Sequence, residues 1–314
     1  MAIPRITVAV ITYNRSRFLR ETLACLVKQD MPPDQWELLV IDNNSTDDTA
    51  EAVASFESAP PFPRRVLETK QGLDHGRNRA VSEARGDIIV LADDDILMES
   101  DWLTRLVAPL VSDKAQSIGV VGGEVIPVFP DGLPSWLEGA HRPLAFRADS
   151  GPLPANQAPM GANFAFPKWV FTRLGGFRTE LDRQGSSLFG GGDSEMIRRV
   201  RAAGLEAWFV PEAKVLHQMP ASRLTLRYAL RHAFDSARSR VIDGAGIIAG
   251  HGRSAAPFFT SRAIGAVLKL VGYLILAAGC AILLRRGAAK RALVRAWRSC
   301  GYLYQISRSS VGKV

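Results

Sequence analysis

Residues 87–92, DIIVLA, form a short β-branched apolar run that stops on three consecutive aspartates, Asp93, Asp94 and Asp95. An unbroken apolar run of this length suits a strand buried on both faces, as in parallel sheets. Two earlier stretches repeat the pattern. ITVAVIT at 6–12 is followed by Tyr13, Asn14, Arg15 and Ser16, and ELLVI at 37–41 by Asp42, Asn43 and Asn44. A further strand is expected near 65–68. Between the strands, Phe18, Leu19, Leu23, Leu26 and Val27 recur at helical spacing, and helices are expected over 50–56 and 76–84. Strands alternating with helices at this interval predict an α/β fold with a mostly parallel central sheet flanked by helices.

Sheets of this kind bind ligands outside the carboxyl ends of their strands. Thr12-Tyr13-Asn14, Asp42-Asn43-Asn44 and Asp93-Asp94-Asp95 are therefore expected to meet along one edge. Three adjacent carboxylates repel one another and each demands solvation. Mg²⁺ or Mn²⁺ relieves that repulsion, because hard divalent cations favour carboxylate and phosphate oxygens. A metal so held can bridge a diphosphate and stabilise it as a leaving group. The plainer reading is a solvated turn capping a helix that begins near Ser100 or Asp101. The run's place beside two other polar strand ends favours the metal.

Beyond about 119 the pattern is less regular. A Pro-rich loop spans 127–159, and the glycines at 190–192 lead into Asp193, Ser194, Glu195 and a helix through Ala203, followed by a strand at 207–210. The charge is unevenly divided. Residues 1–219 carry 23 Lys and Arg against 29 Asp and Glu, a net of −6, whereas 220–314 carry 16 against 2, a net of +14. The expected organisation is thus an acidic body over 1–219 and a basic helical tail over 220–314. Within the tail a helix is expected from Ser222 to about Ile242, and 263–284 is apolar except for Lys269 and small residues. Cys25, Cys280 and Cys300 have no ligand-like spacing and read as reduced cytosolic thiols. The first residues lack the pattern of a signal peptide, so the body is expected to stay in the cytosol.

The set VAVITYNR at 8–15, VIDNNSTDDT at 40–49, GLDHGRNRA at 72–80 and IIVLADDDI at 88–96 resembles the family 2 glycosyltransferases of GT-A fold. The likeness continues through GANFAFPK at 161–168, RLGGF at 173–177, GGDSE at 191–195 and VLH at 215–217, all in the family's order. It covers residues 6–219 and implies a catalytic domain over 1–219 with a nucleotide-binding half at 1–118 and an acceptor half at 119–219. The resemblance implies that Tyr13, between Thr12 and Asn14, borders the nucleotide base, and that Asp42, close to Asn44, bonds the base or ribose. It implies a base or phosphate contact from Arg77; Gly76 precedes it where alanine is commoner, an exchange expected to change little. Asp93, Asp94 and Asp95 cover the family's DxD-like position, where one carboxylate contacts ribose and another holds the metal. Asp93 with Asp95 is the usual pairing, and the sequence leaves the division open. Asp193 stands where these enzymes keep a catalytic base, with Glu195 as the alternative and helix capping as the plain role. His217 stands where some GT-A enzymes complete the metal site, although a lone histidine is more often an ordinary residue. Trp169, Phe171, Trp208 and Phe209 read as core, and Trp136 as a candidate for an acceptor contact.

These readings combine into a metal-dependent inverting glycosyltransferase. It would move a sugar from a nucleoside diphosphate donor, a uridine diphosphate sugar being favoured, to a lipid-linked or polysaccharide acceptor at the cytoplasmic face of the inner membrane. A sugar-phosphate nucleotidyltransferase is disfavoured because 8–15 holds no glycine, and a Walker-type NTPase because no GxxxxGK[ST] occurs. Retention of the acidic motifs argues against an inactive scaffold. The tail lacks nucleic-acid-binding motifs, and a basic segment broken by a long apolar one suits an anionic membrane surface better than nucleic acid.

Overall fold

A computed structural model describes residues 6–138, 143, 145–181, 187–250 and 252–311. The chain divides into two compact units. The first comprises Met1–Val128, Arg142–Thr179 and Gly192–Gln218, and the second Phe129–His141, Glu180–Gly191 and Met219–Val314.

The first unit is built on β1 (Ile6–Thr12), α1 (Ser16–Leu26), β2 (Trp36–Asp42), α2 (Thr49–Ala54), β3 (Arg64–Leu67), α3 (Leu73–Glu83), β4 (Ile88–Asp93), β5 (Ile96–Met98) and α4 (Trp102–Ser112). It continues through β6 (Ile118–Val128), β7 (Gly151–Pro152), β8 (Asn163–Pro167), α5 (Lys168–Leu174), α6 (Gly192–Ala202) and β9 (Glu206–Gln218). The sheet order is β3-β2-β1-β4-β8-β6-β9-β5, with β7 paired to β9. β1 through β4 are mutually parallel, as their unbroken apolar runs imply. Past β4 the sheet is mixed: β8 runs antiparallel to β4 and β6, and β6 parallel to β9.

Both faces are covered. Ile6, Val8 and Val10 pack with Leu19, Leu23, Trp102 and Leu106 on one side, and Ala9, Ile11, Leu39 and Ile41 with Ala80, Val170, Met196 and Val200 on the other. This is the period-2 alternation of a strand with an apolar layer on each face. Register then does the functional work. Thr12 lies opposite Asp42, and Ile11 opposite Asp93, so three strand ends share one edge.

β9 is longer than the stretch expected at 207–210. Pro211 reads as a strand end, but the register shift between Gly123 and Val125 of β6 lies beside it, and the chain runs on to Gln218. From Glu212 to Leu216 exposed and buried residues alternate, the pattern of a half-buried strand, and His217 is thereby delivered opposite Ile96. Asn163, from the GANFAFPK motif, locks these elements together. Its Nδ2 donates to the carbonyls of Ala213 (2.7 Å) and Glu124 (3.2 Å), and its Oδ1 accepts from Trp102 Nε1 at 3.0 Å, all within the core.

In the second unit, α7 (Leu226–Gly250), α8 (Ala256–Ile282) and α9 (Arg286–Val311) hold most of the basic residues. α7 starts later than Ser222 because Thr225 is the cap: its hydroxyl accepts from the Tyr228 N–H at 3.2 Å. α9 returns along α8, with Arg295 over Tyr273 and Arg262 over Tyr302. α8 is long and apolar enough to cross a membrane by length and composition, and Leu268, Ile275 and Ile282 stand exposed on it. Trp136 is 9% exposed and packs with Leu137 and Leu224, its carbonyl accepting from Arg291 at 3.0 Å. A buried indole belongs to this unit's core, which corrects the expected acceptor contact.

Asn163→Ala should remove the partners of one buried donor and two buried carbonyls and lower the unfolding free energy by about 2–4 kcal/mol. Urea denaturation of the two chains measures this; a loss below about 0.5 kcal/mol would leave the cross-link without a structural role.

Candidate active site

The β1 and β2 ends are tied together through their following loops. Asn14 and Asn44 both adopt left-handed backbone, with φ of 50° and 66°, which asparagine tolerates better than most residues. Asn14 Oδ1 accepts from the Thr46 N–H at 2.7 Å, and the Asn14 N–H donates to Ser45 Oγ at 3.0 Å. Tyr13 is left 41% exposed at the rim. Asp42 is wholly buried: one oxygen accepts from the Ser45 N–H at 2.8 Å and the other from Arg65 Nη2 at 2.5 Å and Nε at 3.0 Å. Its carboxylate holds the loop and presents Arg65.

The three aspartates do not act alike. Asp94 turns inward, accepting from the Thr12 hydroxyl at 2.7 Å and pairing with Arg15 Nη1 at 2.6 Å. Burial pushes its carboxyl up to about 7, with Arg15 opposing and the neighbouring Asp95 carboxylate adding to the rise. Arg15 also reaches Asp95 through Nη2 at 2.5 Å. Burial works against the Arg15 charge, but Asp94 and Asp95 hold it more firmly protonated than usual. The other Asp95 oxygen, Oδ1, lies 3.1 Å from His217 Nε2. One ligand atom each from Asp93, Asp95 and His217 fall within 4.8 Å of one another. Two carboxylates and an imidazole converging so closely form a donor set that suits Mg²⁺ or Mn²⁺.

A second cluster centres on Arg77, buried at 3% exposure. Its Nη1 donates to Asp74 at 2.9 Å and to Asp193, and its guanidinium lies over the rings of Phe164 and Phe177 at 5.4 and 5.3 Å. Burial opposes its charge, yet the fields of Asp193, Asp74 and Asp93 raise its basicity above the ordinary arginine value. The metal-ligand set and the Asp193 cluster thus share Asp93 as a neighbour. Space here is tight. A Cβ on Gly161 would sit 2.0 Å from Asp193 Oδ2, and one on Gly76 2.6 Å from Ile11 Cγ2. The glycine before Arg77 therefore lets α3 settle on β1, which corrects the expectation of a neutral exchange. Asp193 is one-third exposed in the first turn of α6. Glu195 is buried and engaged by Arg199 at 2.9 and 3.0 Å, with Arg199 also bonded to the Leu174 and Gly176 carbonyls.

Thr12, Asp93, Asp94, Asp95 and His217 are thus brought together, Arg77 joins Asp193, and Asn14 bonds Ser45 and Thr46 in the loop that follows Asp42 and Asn44. Sequence reasoning missed Arg15, Arg65 and Asp74. Arg15 had a legible signal, since three adjacent carboxylates call for a cation and it stands in the loop beside them.

Residues 7–169, just over half of the chain, match the family model described as glycosyl transferase family 2. The chain belongs to that family. Glycosyltransferase AglE of Haloferax volcanii is 28% identical over 131 residues, 41% of this chain and 42% of AglE. The glucosyl-dolichyl phosphate glucuronosyltransferase of the same organism is 23% identical over 250 residues, 76% of this chain and 77% of that protein. Among solved structures, the mannosyltransferase PcManGT of Pyrobaculum calidifontis, in complex with GDP-Man and Mn²⁺, superposes with a TM-score of 0.60 at 20% identity, covering 98% of this chain and 88% of that one. TarS 1–349 of Staphylococcus aureus, in complex with UDP, gives 0.54 at 16% identity, covering 98% and 92%. The fold is the GT-A fold.

Arg15→Met should leave the aspartate cluster without its counter-cation and cost about 3–5 kcal/mol of stability, as breaking a buried pair does. Thermal melts should show part of that loss recovered by millimolar Mn²⁺ in this variant, with a smaller metal-induced shift in the unsubstituted chain.

Proposed function

We propose that the chain is an inverting glycosyltransferase that moves a sugar from a nucleoside diphosphate donor to a lipid-linked or polysaccharide acceptor in envelope or extracellular glycan synthesis. The observation that carries this reading is the convergence of Asp93, Asp95 and His217 at one sheet edge, with Asp193 fixed by Arg77 beside it. When bound there, Mg²⁺ or Mn²⁺ would neutralise the diphosphate and ease its departure. The chain's own residues do the rest. Thr12, Tyr13, Asn14, Asn44 and Arg65, the last held by Asp42, shape the edge on which the nucleotide rests. Asp94 and Arg15 keep Asp95 pointed at the metal position.

Asp193 takes the proton of the acceptor hydroxyl as that oxygen attacks the anomeric carbon. The bond from that carbon to the diphosphate breaks on the opposite face, so the configuration inverts and the proton stays on Asp193. Arg77 positions the carboxylate and opposes its rotation. Glu195 is held by Arg199 and is not the base. A uridine diphosphate sugar is the favoured donor; the TarS structure with UDP supports this, and the GDP-Man of PcManGT is the competing case. The glucosyl-dolichyl phosphate acceptor named for the H. volcanii relative supports a lipid-linked acceptor.

The second unit attaches the enzyme to the cytoplasmic face of the inner membrane. α8 offers an exposed apolar surface, and α9, with Lys290, Arg291, Arg295 and Arg298, packs back along it. A charged helix paired with the apolar one favours α8 lying in the interface over a simple span.

Nucleotide release from a panel of sugar donors, with and without Mn²⁺ and with membrane extract as the acceptor source, tests the activity. Metal-dependent turnover of one donor is expected; none with any donor would favour an inactive scaffold. Asp193→Ala should abolish transfer, by at least about 10²-fold, while donor binding persists, whereas Asp95→Ala should weaken metal and nucleotide binding. Equal loss of donor binding in both variants would refute this division of roles.

A further inference from the structure

α7 and α9 lie side by side in the same direction: Phe234 packs on Tyr304 at 5.5 Å between ring centroids, and Arg238 Nε donates to Gln305 Oε1 at 3.3 Å. Toward the start of α7 they leave an open groove of about 640 Å³, lined by Leu226, Arg227, Leu230, Arg231, Phe234 and Trp297. Leu226, Leu230 and Phe234 repeat every four residues and form an apolar wall, and Trp297 of α9 faces the groove while 44% exposed. Arg227 and Arg231 stand one position along the same helix, one turn apart.

Neither of these guanidinium groups makes a hydrogen bond or ion pair among the described residues. Arg238, two turns further on, is fully engaged: it pairs with Asp235 at 3.1 Å and lies over the rings of Phe189, Phe234 and Tyr304. Asp235 itself is buried and also accepts from the Leu188 N–H, so it is spent before reaching the groove. An unspent arginine pair beside an apolar slot with an exposed indole matches a molecule that is anionic at one end and aliphatic beyond it. Paired guanidiniums suit the several oxygens of a phosphate, and an indole suits the boundary between apolar chain and polar head.

We propose that this groove binds an anionic lipid, its phosphate head on Arg227 and Arg231 and the first part of its chain along Leu226, Leu230, Phe234 and Trp297. The inference rests on the membrane attachment argued above for the origin of the ligand. It assigns the residues that select an acidic lipid over a neutral one.

The test titrates the full chain by calorimetry with dodecyl phosphate below its micellar concentration, with inorganic phosphate and with dodecyl maltoside. Dodecyl phosphate should saturate at one molecule per chain and bind at least about ten-fold more tightly than inorganic phosphate, because the chain adds apolar burial. R227Q/R231Q should weaken it about ten-fold or more by removing the charge-assisted bonds. Both arginines are exposed, so melts of this variant should match the parent, and Leu230→Ser should weaken dodecyl phosphate while sparing inorganic phosphate. Unchanged affinity in R227Q/R231Q, equal affinity for inorganic phosphate, or equal binding of the maltoside would each overturn the proposal. The titration uses neither donor nor turnover, so a chain inactive with every sugar donor can still pass it, and an active one can fail it.

Discussion

The arrangement at the end of β4 depends on a single guanidinium. Three adjacent carboxylates would repel one another out of a packed sheet edge, and Arg15 bridges two of them, Asp94 and Asp95. With Asp94 neutralised and drawn inward to Thr12, the remaining carboxylates Asp93 and Asp95 face the His217 imidazole. A cation supplied by the chain keeps these carboxylates together at the sheet edge.

The same logic recurs around Arg77. A fully buried guanidinium is tolerable only where carboxylates and aromatic faces replace water, and Asp74, Asp193, Phe164 and Phe177 supply them. Asp193 is thereby held still, although only the first turn of α6 carries it. The glycines around this cluster are there for room: Gly161 and Gly76 allow α6, α3 and β1 to close on it. The geometry of this cluster is set by charge pairs, and space for those pairs by missing side chains.

The second unit uses its charges differently. Where the first unit pairs nearly every buried charge, the second leaves arginines exposed beside apolar surface, on α7 near Trp297 and along α9. Exposed positive charge interleaved with apolar side chains suits a surface made of anionic heads and hydrocarbon.

Much of this was legible in the residues. Apolar runs located β1, β2 and β4 because strands buried on both faces need them, and polar residues after each run marked the edge that their ends share. The motif order named the family, and the segmental charge balance separated the acidic body from the basic tail. The resemblance paired Asp93 with Asp95, which the structure sets beside His217. Tertiary structure decided which partner each carboxylate meets. Arg15 lies 79 and 80 residues before its partners, Arg77 lies 116 before Asp193, and Asp42 takes Arg65 from the neighbouring strand. Glu195 and Asp193 look alike in sequence; only packing shows that Arg199 holds one while Arg77 leaves the other one-third exposed. A carboxylate's role depends on its counter-charge and its access to water, and both are set by residues that only folding brings near.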